Sequence, residues 1–248
     1  MQDRIVSYTG DKYKKREFHN SLLRFLEKLD AHCRQYNIPY SLAYGSALGC
    51  VRNQGFIPWD DDVDVVMKRV DYDRFFESLH NGDTQLARDS YVEMPLFLPK
   101  IYDSTSKEIP VHIDIYAADN VPDGFVSKHL KLIHIQLIKE VIKGRRNHLP
   151  GLIHLLRKVI AYSISFPFSM EKINRLYTTV CIKDNNVTTQ RISSYCAGHK
   201  SMGKYYPSSM IDHTIYMKFE DIELPVMMDN NLYLSNEYGS DYMTPRVL

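Results

Sequence analysis

The chain has 248 residues, of which 44% are hydrophobic and 25% are charged, so disorder and fibrous repeats are excluded. Its 31 basic and 30 acidic residues nearly balance, which predicts no nucleic-acid partner. No signal-peptide pattern opens the chain and no apolar run is long enough to cross a membrane, so we expect neither feature. The four cysteines form no Cys-x-x-Cys pair and indicate reduced thiols in a cytoplasmic protein.

Charge is unevenly distributed along the chain. Residues 125–183 carry 11 Lys or Arg and 2 acids, a net charge of +9, whereas the rest of the chain is acidic with a net charge of −8. This asymmetry predicts a catalytic core over 1–124 and a basic helical region with C-terminal motifs over 125–248, packed on the core as one unit.

The predicted elements alternate between helices and strands. Apolar spacing predicts helices, and β-branched or alternating segments predict strands. In chain order we expect a helix over 18–36, a strand over 40–44, a helical turn over 47–51, a buried strand over 63–67, a helix capped by Asp71 and reaching His80, an extended segment over 91–102 with Pro95 and Pro99, a strand over 111–116, and helices over 130–142 and 152–164 that join at 147–151. This pattern indicates an α/β (α+β) fold with a mixed sheet flanked by helices and a helical C-terminal region.

Two carboxylates lie two residues apart at the start of the predicted strand 63–67. Since alternate residues of a strand point to the same face, Asp62 and Asp64 project together and repel each other unless a cation lies between them. Hard oxygen ligands favour Mg²⁺ or Mn²⁺. A solvated acidic turn is the alternative, but the surrounding valines would bury Asp64. An EF-hand is rejected, because Val65 and Asp71 replace the required Gly and Glu.

A third acid, Asp114, again lies inside an apolar strand. If that strand neighbours the first, three carboxylates converge on one face, where they can bind one or two metal ions and leave one acid as general base. Upstream, Gly45 and Ser46 follow a strand and precede a helical turn. That position suits phosphate binding, because backbone N–H groups at a helix start favour anions.

Residues 44–64 resemble the signature of the LicD family, which is allied to the fukutin and fukutin-related proteins. The similarity covers about twenty consecutive positions, including the long insert 52–59 that most other nucleotidyltransferases lack. The segment His112 to Ile115 resembles the family's second acidic motif, and Lys100 to Asp103 its lysine-containing segment. Residues 219–221 and 238–243 resemble its C-terminal motifs. The resemblance implies a nucleotidyltransferase fold.

The resemblance also implies an activity. LicD-type enzymes move a phospho-alcohol such as phosphocholine from a CDP-activated donor to a hydroxyl of a cell-surface glycan such as teichoic acid, lipopolysaccharide or capsule. Carried over, Asp62, Asp64 and Asp114 would bind the metal, and Gly45 and Ser46 the phosphate.

Two basic residues are further candidates for the donor site. Arg52 follows the phosphate turn, and its planar guanidinium suits a diphosphate; a charge at the end of a helix is the alternative. Lys100 would neutralise the leaving nucleotide, or would be an exposed strand lysine. His112 would share the face of Asp114, where it would have a supporting or a purely structural role.

Two other functions remain open at this point. One is a nucleotidyltransferase that moves a nucleoside monophosphate to a sugar or protein with release of pyrophosphate. The other is a catalytically silent nucleotide-binding protein, against which the intact acid triad counts.

The basic middle of the chain, 125–183, also has two interpretations. Leu130, Ile133, Leu137 and Val141 form an apolar stripe that would pack in the core. Alternatively, that stripe and the lysines and arginines around it would make peripheral contact with the inner membrane face, where a lipid-linked acceptor would lie.

Overall fold

A computed structural model of the chain describes residues 12–81, 85–93, 97–105, 111–146 and 151–245. The elements are, in chain order, α1 (Lys12–Gln35), β1 (Ser41–Leu42), α2 (Tyr44–Asn53), β2 (Val63–Lys68), α3 (Arg69–Asn81), α4 (Gln85–Asp89), β3 (Ser90–Glu93), β4 (Lys100–Asp103), β5 (His112–Val121), α5 (Phe125–Arg146), α6 (Leu152–Ser165), α7 (Met170–Ile182), β6 (Arg191–Ser193), α8 (His199–Met202), β7 (Tyr206–Pro207), β8 (Thr214–Phe219), β9 (Ile222–Met227) and α9 (Asn230–Tyr238). They confirm the predicted α/β class. The described residues divide into two compact units, 1–116 with 209–248, and 117–208.

The first unit is built on a mixed sheet in which the strands follow the order β3-β4-β5-β2-β1-β9-β8. Most neighbours are antiparallel, but β9 runs parallel to β1, with Val226 opposite Leu42. The C-terminal part of the chain therefore adds strands as well as helices. The strands β2 and β5 are neighbours, as a convergence of their carboxylates requires.

The long helix α1 buries the apolar side that its sequence spacing predicts. Its buried side chains are Phe18, Leu22, Phe25, Leu26, Leu29 and Cys33. The helix begins at Lys12, one and a half turns before the predicted start, because straight-chain residues such as lysine, arginine and glutamate are good helix formers without any apolar periodicity.

Two predicted boundaries differ from the structure. Helix α3 begins at Arg69, so Asp71 is in its first turn, where it pairs with Arg74 at 2.8 Å instead of capping the helix. The segment predicted as extended over 91–102 is two antiparallel strands with Tyr91 opposite Tyr102. The prediction at Pro95 lies outside the described residues.

In the second unit, the end of β5 pairs with β6, and β6 with β7. Helix α5 spans Phe125–Arg146 and is longer than predicted at both ends, whereas α6 agrees with the prediction to within one residue. Most of the predicted junction between them lies outside the described residues. Two cations of α5 are buried: Lys131 pairs with Asp184 at 2.9 Å, and Lys139 donates to the carbonyls of Tyr195 and Ala197. The predicted division into 1–124 and 125–248 stays a prediction.

Candidate active site

The turn between β1 and α2 fixes the start of the site. Tyr44 has a left-handed backbone, with φ of 42°, which is rare for a bulky residue and costs on the order of 1–3 kcal/mol. Its N–H donates to the hydroxyl of Tyr233 at 3.1 Å, and its ring packs on Tyr116 with centroids 4.6 Å apart. These contacts hold the strained turn in place.

Ser46 connects this turn to the carboxylate strand. The N–H of Asp64 donates to the Ser46 hydroxyl at 2.9 Å, and the Ala43 N–H donates to the Asp64 carbonyl at the same distance. Gly45 lies against the Asp60 carboxylate, because a Cβ on Gly45 would be 2.8 Å from Asp60 Oδ2. The two residues predicted to bind phosphate therefore lie beside the acidic cluster, and their phosphate contact stays a prediction.

The acids predicted from the sequence lie together in the first unit. Asp64 and Asp114 are both buried, on the adjacent strands β2 and β5. Ligand atoms of Asp62, His112 and Asp114 lie within 4.8 Å of one another, and so do those of Asp60, Asp61 and Asp62. His112 and Asp60 therefore join the cluster, and Asp62 belongs to both groups.

Burial and mutual repulsion perturb these carboxyls strongly. Burial, followed by the charge of Asp60 and Asp114, raises the pKa of Asp62 to about 7. Burial, followed by Asp61, raises the pKa of Asp60 to about 6. For Asp64, burial and then Asp62 raise the pKa well above its usual value, although a hydrogen bond from Tyr116 opposes the shift. Ionising these carboxyls together is therefore unfavourable, and a bound cation would relieve that cost.

Lys100 is the cation closest to Asp114 in the described part of this site. The two residues are directly opposite each other on β4 and β5, and Lys100 Nζ lies 2.7 Å from Asp114 Oδ1. The ammonium also lies 2.9 Å from His112 Nε2, and since an ammonium can only donate, that nitrogen accepts. Burial and then Lys100 lower the pKa of His112 to about 4, so the imidazole is neutral at pH 7. Lys100 is therefore paired within the cluster and is not a solvated strand lysine.

Arg52 lies farther from the carboxylates. It is in the last turn of α2, about 10 Å along the helix from Gly45. Its Nε donates to Asn53 Oδ1 at 2.9 Å, and its Nη1 donates to the Tyr242 carbonyl at 3.3 Å. The structure does not bring Arg52 together with the acids, and its diphosphate contact stays a prediction.

Glu220 supports the insert that leads into the cluster. Its Oε1 accepts from the Phe56 N–H at 3.0 Å, and its own N–H donates to the Gln54 carbonyl at 2.8 Å. The carboxylate lies where a Cβ on Gly55 would be, so a side chain at that position would displace Glu220 from the insert. On the other side of the insert, His19 stacks on Phe56 and bonds the Asp60 carbonyl at 2.9 Å. The motif at 219–221 thus positions the chain just before the acids.

Comparison with known proteins identifies the family to which the chain belongs. The family model described as LicD/FKTN/FKRP, nucleotidyltransferase domain, matches residues 37–136. The chain is also 30% identical over 244 residues to the lipopolysaccharide cholinephosphotransferase LicD of Haemophilus influenzae (strain ATCC 51907 / DSM 11121 / KW20 / Rd). The match covers 89% of this chain and 88% of the relative. The chain belongs to the LicD family. It is a LicD-type phosphotransferase, which confirms the resemblance seen in its sequence.

The donor set of this LicD-family chain fits a hard divalent cation. Asp64 and Asp114 supply buried carboxylate oxygens, Asp62 supplies a partly buried one, and His112 adds a neutral imidazole. Such a set suits Mg²⁺ or Mn²⁺. The residues present therefore fit the metal that the sequence motif predicts.

Sequence reasoning missed the tyrosines that surround the acids. Tyr116 donates a hydrogen bond to Asp64, and burial followed by the charge of Asp64 raises the pKa of Tyr238. Tyr44 and Tyr233 fix the turn beside them. Tyr116 could have been found, because it lies two residues after Asp114 and shares its face of β5. Tyr238 opens the segment 238–243 that resembles a family motif, but no local pattern places it beside the acids, and Tyr233 carries no signal of either kind.

Proposed function

We propose that this enzyme transfers a phospho-alcohol group, phosphocholine or a close analogue, from a CDP-activated donor to a hydroxyl of a cell-surface glycan precursor. Its similarity to a lipopolysaccharide cholinephosphotransferase supports the choline donor and the glycan acceptor. The observation that carries the proposal is the cluster of Asp62, just before β2, with Asp64 on β2 and His112 and Asp114 on the adjacent strand β5. The four cysteines are all free, which supports placing the reaction in the cytoplasm.

The proposed step replaces the phosphoanhydride bond of the donor by a phosphoester bond to the acceptor. The acceptor oxygen forms a bond to the phosphorus that carries the alcohol, the bond from that phosphorus to the CMP oxygen breaks, and CMP leaves. Asp114 takes the proton of the acceptor hydroxyl. Lys100, held between Asp114 and His112, supplies the positive charge that stabilises the leaving CMP in this proposal.

The acids hold the cofactor in this proposal. Asp62, Asp64 and Asp114 bind Mg²⁺ or Mn²⁺, which when bound neutralises charge on the donor phosphates. Gly45 and Ser46, at the start of α2, contact phosphate oxygens through their N–H groups, and Arg52 contacts the diphosphate.

Release of CMP from CDP-choline, CDP-ribitol and CDP-glycerol tests this proposal. Purified enzyme with Mg²⁺ and lipopolysaccharide as acceptor is expected to release CMP from one of the three and to transfer its phospho-alcohol. Asp62→Asn is expected to reduce turnover by at least about a thousandfold, since it removes a ligand shared by both acidic groups. Asp73→Asn, an exposed acid on α3, is the matched control and is expected to retain full turnover.

A nucleotidyltransferase reaction is the second candidate, because the family model is named for that domain. The two reactions differ in the leaving group: phospho-alcohol transfer releases CMP, whereas nucleotidyl transfer from a nucleoside triphosphate releases pyrophosphate. Pyrophosphate release from ATP or UTP, with no CMP from the three CDP-alcohols, would replace the first proposal by the second. Near-normal turnover of Asp62→Asn at saturating Mg²⁺ would contradict the metal site under either reaction.

A further inference from the structure

Helix α6 of the second unit exposes an unusual amount of apolar surface. We call these side chains the α6 face, and each of them is at least half exposed: Leu152, Ile153, Leu155, Leu156, Val159, Ile160 and Ile164. Soluble proteins rarely leave so many large aliphatic side chains on one short helix in water. The α6 face therefore marks an interaction surface.

The way α6 packs explains why the face is left uncovered. At the crossing with α5, a Cβ on Gly144 would lie 2.7 Å from Ala161 Cβ, so the two helices approach closely through small residues. Ala161 and Ser165 are the buried residues of α6, one turn apart. The helix is thus anchored by a narrow stripe of small side chains, while its large aliphatic residues point elsewhere. A helix that is apolar on its outer side needs a core or a membrane to cover it.

Other segments of the second unit also expose apolar side chains. Phe166 and Phe168, just after α6, are 81% and 53% exposed. On α5, Leu130, Ile133 and Leu137 are 49%, 48% and 60% exposed. The α5 stripe that could have been core is therefore largely exposed.

The net positive charge of residues 125–183 indicates an anionic partner. Residues 125–183 contain 11 basic and 2 acidic residues, and both acids are in local ion pairs, Glu140 with Lys143 and Glu171 with Arg175. Lys131 and Lys139 are buried and cannot reach a surface outside the protein. Exposed cations remain on the same helices, among them Arg146, Arg157 and Lys172. Large aliphatic side chains combined with excess positive charge suit an anionic bilayer.

We propose that the α6 face docks on an anionic membrane leaflet. The helix lies in the plane of the interface, its aliphatic side chains enter the acyl boundary, and Arg157 and its neighbours reach lipid phosphates. The contact is peripheral, because no helix in the described ranges is both long and apolar enough to span a bilayer. This inference concerns binding alone and is independent of the proposed reaction.

Flotation of the full-length protein with vesicles tests the proposal. The protein is expected to float with vesicles of phosphatidylcholine and phosphatidylglycerol in equal parts, to bind pure phosphatidylcholine much more weakly, and to be released by high salt. Leu156→Ser with Val159→Ser is expected to lower partitioning by about a hundredfold, since two aliphatic side chains are removed from the acyl boundary.

A matched control separates the α6 face from general surface hydrophobicity. Val70→Ser with Val187→Ser also removes two exposed aliphatic side chains, which are 63% and 57% exposed in other parts of the chain, and is expected to bind like the wild type. Circular dichroism confirms that both variants fold. Equal binding by the α6 variant, or equal binding to both kinds of vesicle, overturns the proposal. Absence of vesicle binding also overturns it, and light scattering then shows whether the face joins two copies of the chain.

Discussion

Asp114 is the carboxylate whose surroundings best suit a proton acceptor. It comes from β5, whereas Asp62 and Asp64 come from β2 and the residues before it, so Asp114 can face an acceptor in addition to binding the cation with the other two. Burial raises its pKa above the usual value and Lys100 opposes that shift. A raised pKa makes a carboxylate a stronger base.

We therefore expect Asp114→Asn to separate proton transfer from donor binding. Acceptor-dependent transfer should fall by about 10²–10⁴-fold, the usual contribution of a positioned base, while affinity for the CDP-alcohol and Mg²⁺ stays within a few-fold of normal. Calorimetric titration of the donor with Mg²⁺ makes the comparison, with Asp62→Asn as the variant expected to lose donor binding. Loss of donor binding in Asp114→Asn as well would make Asp114 a metal ligand only.

Among the elements, the insert between α2 and β2 determines where the acids lie. It is held from three sides, by Gly49 of α2, by Glu220 of the turn between β8 and β9, and by the ring of His19 on α1. A Cβ on Gly49 would lie 2.5 Å from the Gly55 carbonyl oxygen and 3.2 Å from the Ile57 nitrogen. Both neighbours are backbone atoms, so they cannot move aside as a side chain would.

Gly49→Ala is accordingly expected to shift the insert and to displace Asp60 and Asp62. Overpacking of this kind costs typically about 1–3 kcal/mol of stability, and turnover should fall by more than the stability loss explains. Urea unfolding together with CMP release at saturating donor measures both effects. Gly198→Ala is the control, because a Cβ there meets nothing within 4 Å. Unchanged turnover in Gly49→Ala would mean that the insert does not position the acids.

These elements also show which parts of the site the sequence alone could predict. The strand β2, with Asp64 on it and Asp62 just before it, was predictable, because alternation along one strand is a local property. Asp114 followed from the same anomaly of an acid in an apolar strand. Glu220 was matched to a family motif, but its contact with Phe56 spans 164 residues, and no local pattern reports such a pairing. The hairpin of β3 and β4 was read as one segment for a similar reason, since its pairing partner decides where each strand ends.

At the scale of the whole molecule, the acidic cluster links stability to pH and to metal. Asp62 has a pKa of about 7 in the folded protein and an ordinary value of 3.8, so the folded state holds more protons than the unfolded state between these two values. Stability therefore falls as the pH rises through this window, and the full cost of ionising Asp62 is felt above pH 7. Asp60, with a pKa of about 6, adds to the same trend.

Melting temperatures with and without Mg²⁺ should reveal this linkage. In metal-free buffer, Asp62→Asn should melt like the wild type at pH 5, where Asp62 is protonated and asparagine resembles it, but several degrees higher at pH 8, where the wild type bears the extra charge. Mg²⁺ should raise the melting temperature of the wild type at pH 8 far more than at pH 5, because the cation binds the ionised acids of the folded state. Asp73→Asn changes an exposed carboxyl outside the acidic cluster, so its melting temperature should follow that of the wild type at both pH values. A gap between wild type and Asp62→Asn that is the same at pH 5 and pH 8 would show that Asp62 does not carry the raised pKa on which this argument depends.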